Sequence, residues 1–208
     1  MAAGIEFLVT GIALGLAAGL SPGPLLTLAI SETLKNGRSE GLKVAFSPLI
    51  TDSLIILFAL IVLTSIAADR LVIGVISLFG AAFLTYLGVT NLRAKIGEFE
   101  PKATGGNALV RGIVTNLLNP STYMFWLTIG GPTILESAQV HISATVLFIL
   151  GFYVTLIGSN VAVVMIVGKS RTLAKSRYYA YVIRVLGIVL IVFAASFIVN
   201  FMELIGVL

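Results

Sequence analysis

The sequence predicts an all-α integral membrane protein in which six transmembrane helices form two inverted three-helix repeats. Three observations predict this fold. The 208 residues are 58% hydrophobic and 11% charged, with a mean hydropathy of +1.10, a balance that ordinary soluble domains do not have. The apolar residues form six segments that are each long enough to cross a bilayer. A polar linker at 93–107 separates these segments into two sets of three.

The first segment, about Phe7 to Ile30, is interrupted by Ser21, Pro22, Gly23 and Pro24. Proline lacks a backbone N–H and clashes with the preceding turn, so the helix should break here. Ser followed by Pro is typical of N-cap and N1 positions, which predicts that a second half-helix begins at this dipeptide. Membranes tolerate freed backbone groups only where protein or a water-filled cavity covers them, so the break indicates a site. A kink that only improves packing is the alternative.

The second segment, about Leu42 to Ala67, follows a polar loop from Glu32 to Gly41 and contains Asp52. Counting ~1.5 Å per residue from Lys43, this carboxylate lies about 13 Å into the membrane, near its midplane. An acid at that depth is costly to bury, and a functional role is the default interpretation. A structural ion pair or a protonated, hydrogen-bonded acid is the alternative.

The remaining segments run over about Leu71 to Leu92, Ala108 to Leu135, Ile142 to Gly168 and Tyr178 to Val207. In the fourth segment, Asn119-Pro120 repeats the pattern of an N-cap followed by N1. Asn116 lies one turn earlier on the same face. In the fifth segment, Asn160 lies at a depth similar to that of Asp52, so the two side chains are candidates for one cavity. A loop with Glu136 precedes the fifth segment.

Lysine and arginine are distributed unevenly over the loops. The loops after segments 1, 3 and 5, with their flanks, hold twelve of the thirteen Lys and Arg residues, and the other side has only Arg70. The positive-inside rule therefore predicts that these three loops are cytoplasmic and that both termini lie on the outer side of the cytoplasmic membrane. Because each set has three spans, the second set must be inserted upside down, as in many transporters. We expect one domain over 1–208, with repeat 1 at about 5–92 and repeat 2 at about 108–207.

Composition also bounds the partners and cofactors. A pI near 9.5 could indicate nucleic acid, but the basic residues lie in short loops between apolar runs, so we expect contact with a lipid bilayer instead. The chain has no cysteine, and its one histidine, His141, lies in a loop, so we expect neither a metal site nor a cofactor. The small residues Gly11, Gly15 and Gly19 predict a close-packing face, either within the fold or in a homo-oligomer.

Four stretches, within a region from about Thr10 to Phe197, carry a resemblance to a known family. They are Ser21-Pro22-Gly23-Pro24, Asp52, Gly80 to Gly88 followed by Leu92-Arg93, and Asn116-Leu117-Leu118-Asn119-Pro120. On these motifs the chain resembles the LysE/RhtB superfamily of amino-acid exporters. It departs from that family at Ser121, where a lysine is usual, at Thr51, where a glycine is usual, and at the added Pro48.

The resemblance implies a secondary transporter that exports amino acids or related small zwitterionic solutes. No Walker motif is present, so we expect a proton or cation gradient to drive it. A transporter of a metal or other inorganic ion with the same architecture is the alternative, although one deep acid makes a poor metal site. A membrane enzyme is less favoured, because the paired acids, the deep histidine or the cysteines that such enzymes use are missing.

The candidate substrate site combines the two helix breaks with the deep polar residues. Its members are Ser21, Pro22, Gly23, Pro24, Asp52, Asn116, Asn119, Pro120 and Asn160. Two half-helices that begin near the midplane would direct their positive ends and free N–H groups at one region, which suits a carboxylate. Asp52 would then bind the substrate amine or the coupling proton.

Overall fold

The computed structural model describes residues 2–21, 23–66, 70–93, 107–169, 177–204 and 207. Within these ranges all regular secondary structure is helical, which confirms the all-α prediction. In chain order the helices are α1 (Ala2–Leu20), α2 (Pro24–Asn36), α3 (Arg38–Phe46), α4 (Pro48–Ile66), α5 (Arg70–Leu92), α6 (Ala108–Leu117), α7 (Pro120–Phe125), a π-helical turn (Trp126–Gly130), α8 (Gly131–Val140), α9 (Ile142–Lys169) and α10 (Arg177–Leu204).

Two helical stretches of the described chain are long and apolar enough to cross a membrane, namely α3 with α4 over Arg38–Ser65 and α9 over Ile142–Lys169. Helices α1 and α2, over Gly4–Leu20 and Pro24–Asn36, form a third if this pair, bent by 57°, counts as one span. Helices α5 and α10 coincide with the third and sixth apolar segments. The total of six spans stays a prediction.

The predicted polar loop from Glu32 to Gly41 is wrong. Helix α2 continues to Asn36, and Gly37 alone joins it to α3 with a φ of 93° and a ψ of 171°. Only glycine adopts this conformation readily, so a single residue makes the connection. The predicted loop around Glu136 is likewise reduced to His141, between α8 and α9. Most of the linker at 93–107, the turn before α5 and the basic loop before α10 lie outside the described residues.

The first helix break is displaced from its predicted position. Ser21 is not an N-cap, because its amide and hydroxyl both donate to Ala17 O, at 3.0 and 2.5 Å, and so close the last turn of α1. The N-cap of α2 is Gly23, in an extended conformation, and Pro24 occupies the first helical turn. A hydroxyl at the end of a helix can bind a carbonyl of the preceding turn, and here that bond competes with capping the next helix. Pro22 lies outside the described residues.

Helices α1 and α9 pack closely because glycine removes the side chains between them. A Cβ atom placed on Gly11, Gly15 or Gly19 would overlap backbone or side-chain atoms of α9. Thr155 of α9 also donates from Oγ1 to Ile12 O across this contact, at 3.2 Å. The sequence predicts that this small-residue face packs either within the fold or in a homo-oligomer, and the described structure shows packing within the fold.

The outer surface of α4 is apolar. Leu54, Leu57, Phe58 and Ile61 follow one another at helical spacing, and all are more than half exposed. An apolar helix face of this kind, opposite a face packed on the protein core, is suited to contact lipid. The described fold therefore presents hydrophobic side chains to the bilayer as well as to its own interior.

A buried ion pair joins α2 to α6. The Arg111 guanidinium donates from Nη2 to Glu32 Oε2, and Asn36 Nδ2 donates to the same oxygen at 2.8 Å. The Glu32 side chain is 1% exposed and that of Arg111 is 16% exposed. Helix α2 precedes the linker at 93–107 and α6 follows it, so this pair is a polar connection between the two halves of the chain.

Arg111→Met should destabilise the protein strongly, because it leaves the Glu32 carboxylate buried without its cation. Loss of one partner of a buried pair costs about 3–5 kcal/mol. Lys43→Met is the matched control, since it breaks the exposed Lys43–Glu40 pair, and exposed pairs contribute about 0–1 kcal/mol. Thermal unfolding in detergent should give a much lower Tm for the first variant. Equal Tm values for the two variants would contradict the structural role of the buried pair.

Candidate functional site

A cavity of about 240 Å³ lies where the two helix breaks meet α4 and α9. Its described lining consists of Ala18, Ser21, Gly23, Pro24, Leu25, Leu26, Pro48, Asp52, Tyr86, Asn116, Asn119, Ser121, Thr122, Phe125, Trp126, Phe152, Leu156 and Asn160. Seven of the nine candidate residues are therefore brought to one cavity. The other two are Pro22, which is not described, and Pro120, of which only the backbone is described.

The Asp52 carboxylate is buried at this cavity and is held by neutral donors. The residue is 3% exposed. Its Oδ1 accepts hydrogen bonds from Asn116 Nδ2, at 2.7 Å, and from Thr51 Oγ1, at 3.3 Å. The Tyr153 hydroxyl and the Trp126 indole face the same carboxylate. No lysine or arginine pairs with Asp52 among the described residues. The described surroundings therefore stabilise this acid with hydrogen bonds rather than with an ion pair.

Asn116 is the centre of the hydrogen-bond network around this acid. Its Nδ2 donates to Thr51 Oγ1, at 2.5 Å, as well as to Asp52. Its Oδ1 accepts from Thr122 Oγ1 at 3.0 Å. The side chain thus connects α4 with α6 and, across the break, with α7. With both ends of its amide engaged, Asn116 fixes the position of Asp52 relative to the broken segment.

The second helix break has the capping geometry that the sequence predicts. Asn119 is the N-cap of α7, with a φ of −83° and a ψ of 107°. Its Oδ1 accepts from Ser121 N at 3.1 Å, and Pro120 occupies the first helical turn. At the other break, the first turn of α2 contributes Pro24, Leu25 and Leu26 to the cavity. The amides at the start of a helix have no partner within the helix, so the backbone of α2 offers donors here.

Aromatic side chains form the apolar wall of the cavity. The Phe125 and Phe152 rings stack with centroids 5.2 Å apart, and Trp126 meets both rings edge-on, at 5.2 and 5.3 Å. Trp126 begins the π-helical turn and is fully buried, and a Cβ on Gly130 would overlap its indole ring. The indole Nε1 has no hydrogen-bond partner among the described residues. A buried donor that remains available at a cavity can serve a ligand.

Several lining residues are absent from the sequence-based candidate list. Phe152, Leu156 and Asn160 are four residues apart, so they share one face of α9, and this period could have identified the first two from Asn160. Asn119, Thr122 and Trp126 follow one another at spacings of three and four residues, so the same helical period could have identified Trp126. Ser159, next to Asn160, bonds Leu156 O instead and does not line the cavity.

The family model described as LysE type translocator matches residues 16–201. A protein of Bacillus subtilis (strain 168), named "Putative amino acid efflux protein YcgF", is 27% identical over 135 residues, which is 62% of this chain. The alignment covers 65% of that relative, just under two thirds of its length. No solved structure matches the chain.

The family match covers the two helix breaks and the Asp52 cavity, and it extends over most of the sequence. Together with the apolar helices, it makes the protein a multi-pass membrane protein. The chain belongs to the family of LysE-type translocators.

Proposed function

We propose that the protein is a secondary transporter that exports amino acids or related small zwitterions across the cytoplasmic membrane, driven by a proton or cation gradient. The observation that carries the proposal is the buried Asp52 carboxylate, which faces a small cavity at two helix breaks and has no basic partner among the described residues. A carboxylate in this setting can attract an ammonium group. Family membership and the efflux name of the Bacillus subtilis relative support the same function.

The two ends of a zwitterion would find different partners in the cavity. Asp52 would accept hydrogen bonds from the ammonium group. The carboxylate would receive hydrogen bonds from neutral donors, which include the amides of Asn119 and Asn160 and the first-turn backbone of α2. The positive end of the α2 dipole would add to this attraction. An inorganic ion would make little use of the aromatic wall, so the cavity favours an organic solute.

The packing between helices supports the inverted repeat. In an inverted repeat, segments 1, 2 and 3 correspond to segments 4, 5 and 6. If the two sets are exchanged, each main contact between helices should correspond to a second contact that the structure also contains. The contact of α1 with α9 corresponds to the contacts of α6 with α3 and α4, and the contact of α2 with α3 corresponds to that of α8 with α9. The contact of α5 with α10 maps onto itself. We therefore propose repeats at about 5–92 and 108–207, which rock against each other to open the cavity to either side.

Asp52→Asn should abolish or strongly reduce export without loss of the folded protein. A hydrogen bond to a charged group is worth about 1.5–3 kcal/mol, so losing it predicts about 10- to 100-fold weaker substrate binding. Efflux of radiolabelled amino acids from proteoliposomes measures the effect, and size-exclusion chromatography checks the fold. Ser53→Ala is the matched control, because Ser53 lies on the exposed face of the same helix and its hydroxyl donates to the carbonyls of Leu49 and Ile50 in that helix. Wild-type export by Asp52→Asn would reduce this acid to a structural role.

Both chain termini are expected outside the cytoplasm, because the Lys and Arg residues divide twelve to one between the two sides. Alkaline phosphatase is active only outside the cytoplasm, so a C-terminal fusion should show full enzyme activity. Green fluorescent protein fused at the same position should be dark after export through the general secretory route. A fluorescent C-terminal fusion with an inactive phosphatase counterpart would show that the proposed orientation is inverted.

A further inference from the structure

We propose that the preferred substrates are amino acids with a neutral, apolar side chain, such as leucine, methionine or phenylalanine. This inference rests on the proposed function, because it names the substrate class of the same cavity. Three features of the described lining carry it: the number of charges, the chemistry of the wall and the size of the space.

The cavity offers one ionised side chain, which suits one ammonium group. Asp52 is the one ionised side chain among the described lining residues. A lysine or arginine substrate would place its side-chain cation against the apolar part of the lining, where no carboxylate is described. A glutamate substrate would bring a second carboxylate without a basic partner there. Burial of an uncompensated charge is strongly unfavourable, so the cavity discriminates against both classes.

The apolar part of the lining suits an apolar side chain. Leu26, Phe125, Phe152 and Leu156 contribute aliphatic and aromatic surface to the cavity. Each methylene that a substrate buries against such a surface improves binding about fourfold. Leucine has three more carbon atoms than alanine, so it should bind at least tenfold more tightly. Serine, whose hydroxyl would enter the same apolar region, should bind weakly.

A separate observation supports the polar end of the same ligand. The Trp126 side chain is fully buried, and its indole faces Asp52 at the cavity. An α-amino acid carries its carboxylate one carbon from its ammonium group. A ligand whose ammonium binds Asp52 therefore brings an acceptor within reach of this indole. A hydrogen bond from the indole to that acceptor would need no cation in the site.

The size of the space agrees with a single amino acid. The cavity of about 240 Å³ is smaller than the roughly 300–1,000 Å³ of pockets that hold drug-sized ligands. A dipeptide would need a second set of polar partners as well as more room. The class that remains is the free monoamino, monocarboxylic amino acid with an apolar side chain.

The test is competition against efflux of radiolabelled leucine from proteoliposomes that contain the full chain. Methionine and phenylalanine should compete at least tenfold better than lysine, glutamate or serine. Preferred transport of lysine or glutamate would overturn this inference and leave the proposed exporter standing. Absence of transport for every amino acid in the panel would overturn both.

A pair of leucine variants tests whether the apolar wall selects the substrate. Leu156→Ala enlarges the cavity and should raise the ratio of phenylalanine to leucine transport at least threefold. Leu14→Ala is the matched control, since Leu14 is buried in the same apolar cluster but does not line the cavity, and its ratio should equal that of the wild type. Leu156→Val provides a milder variant for the case in which alanine prevents folding. An unchanged ratio in both Leu156 variants would contradict the assignment of this wall.

Discussion

The fold is organised around a carboxylate that is buried in a membrane protein and must be hydrogen-bonded to remain there. Transfer of an ionised acid out of water costs several kcal/mol, and neutral donors can offset only part of that penalty. Asp52 receives its donors from Asn116 and from Thr51. Asn116 can serve only if α6 lies against α4, and its other contact, with Thr122, lies beyond the break in the same segment. One acid thus fixes three helices relative to one another.

The helix breaks and the aromatic wall follow from this requirement. At the first break, the first turn of α2 adds backbone donors to the cavity, and at the second the Asn119 cap holds α7 beside the acid. The π-helical turn that begins at Trp126 then places an indole against the same cavity, with Phe152 behind it. The result is a cavity with one charged side chain, several neutral donors and an apolar wall within the described residues. The proposed amino-acid substrate would match that combination, with its ammonium group at the acid and its side chain at the apolar wall.

Local rules explain what the sequence could and could not predict. Apolar runs gave the helices, and the Asn-Pro pattern gave the Asn119 cap, because both depend on neighbouring residues alone. The same rules failed at Ser21, whose hydroxyl binds the preceding turn, so that Gly23 became the cap. They also placed Glu32 in a loop, because a charged residue is expected in water until its buried partner is known.

The central claim is that Asp52 binds the substrate ammonium, and a solid-state NMR distance tests it most directly. The chain has two aspartates, Asp52 and Asp69, so an Asp69→Asn variant grown with 13C-labelled aspartate carries one labelled carboxyl carbon. With 15N-leucine bound in lipid bilayers, a hydrogen bond of about 2.7–3.2 Å places the nitrogen about 3.5 Å from that carbon. A dipolar coupling for this distance is the expected result. Bound leucine without a coupling, and hence more than ~6 Å away, would contradict the account.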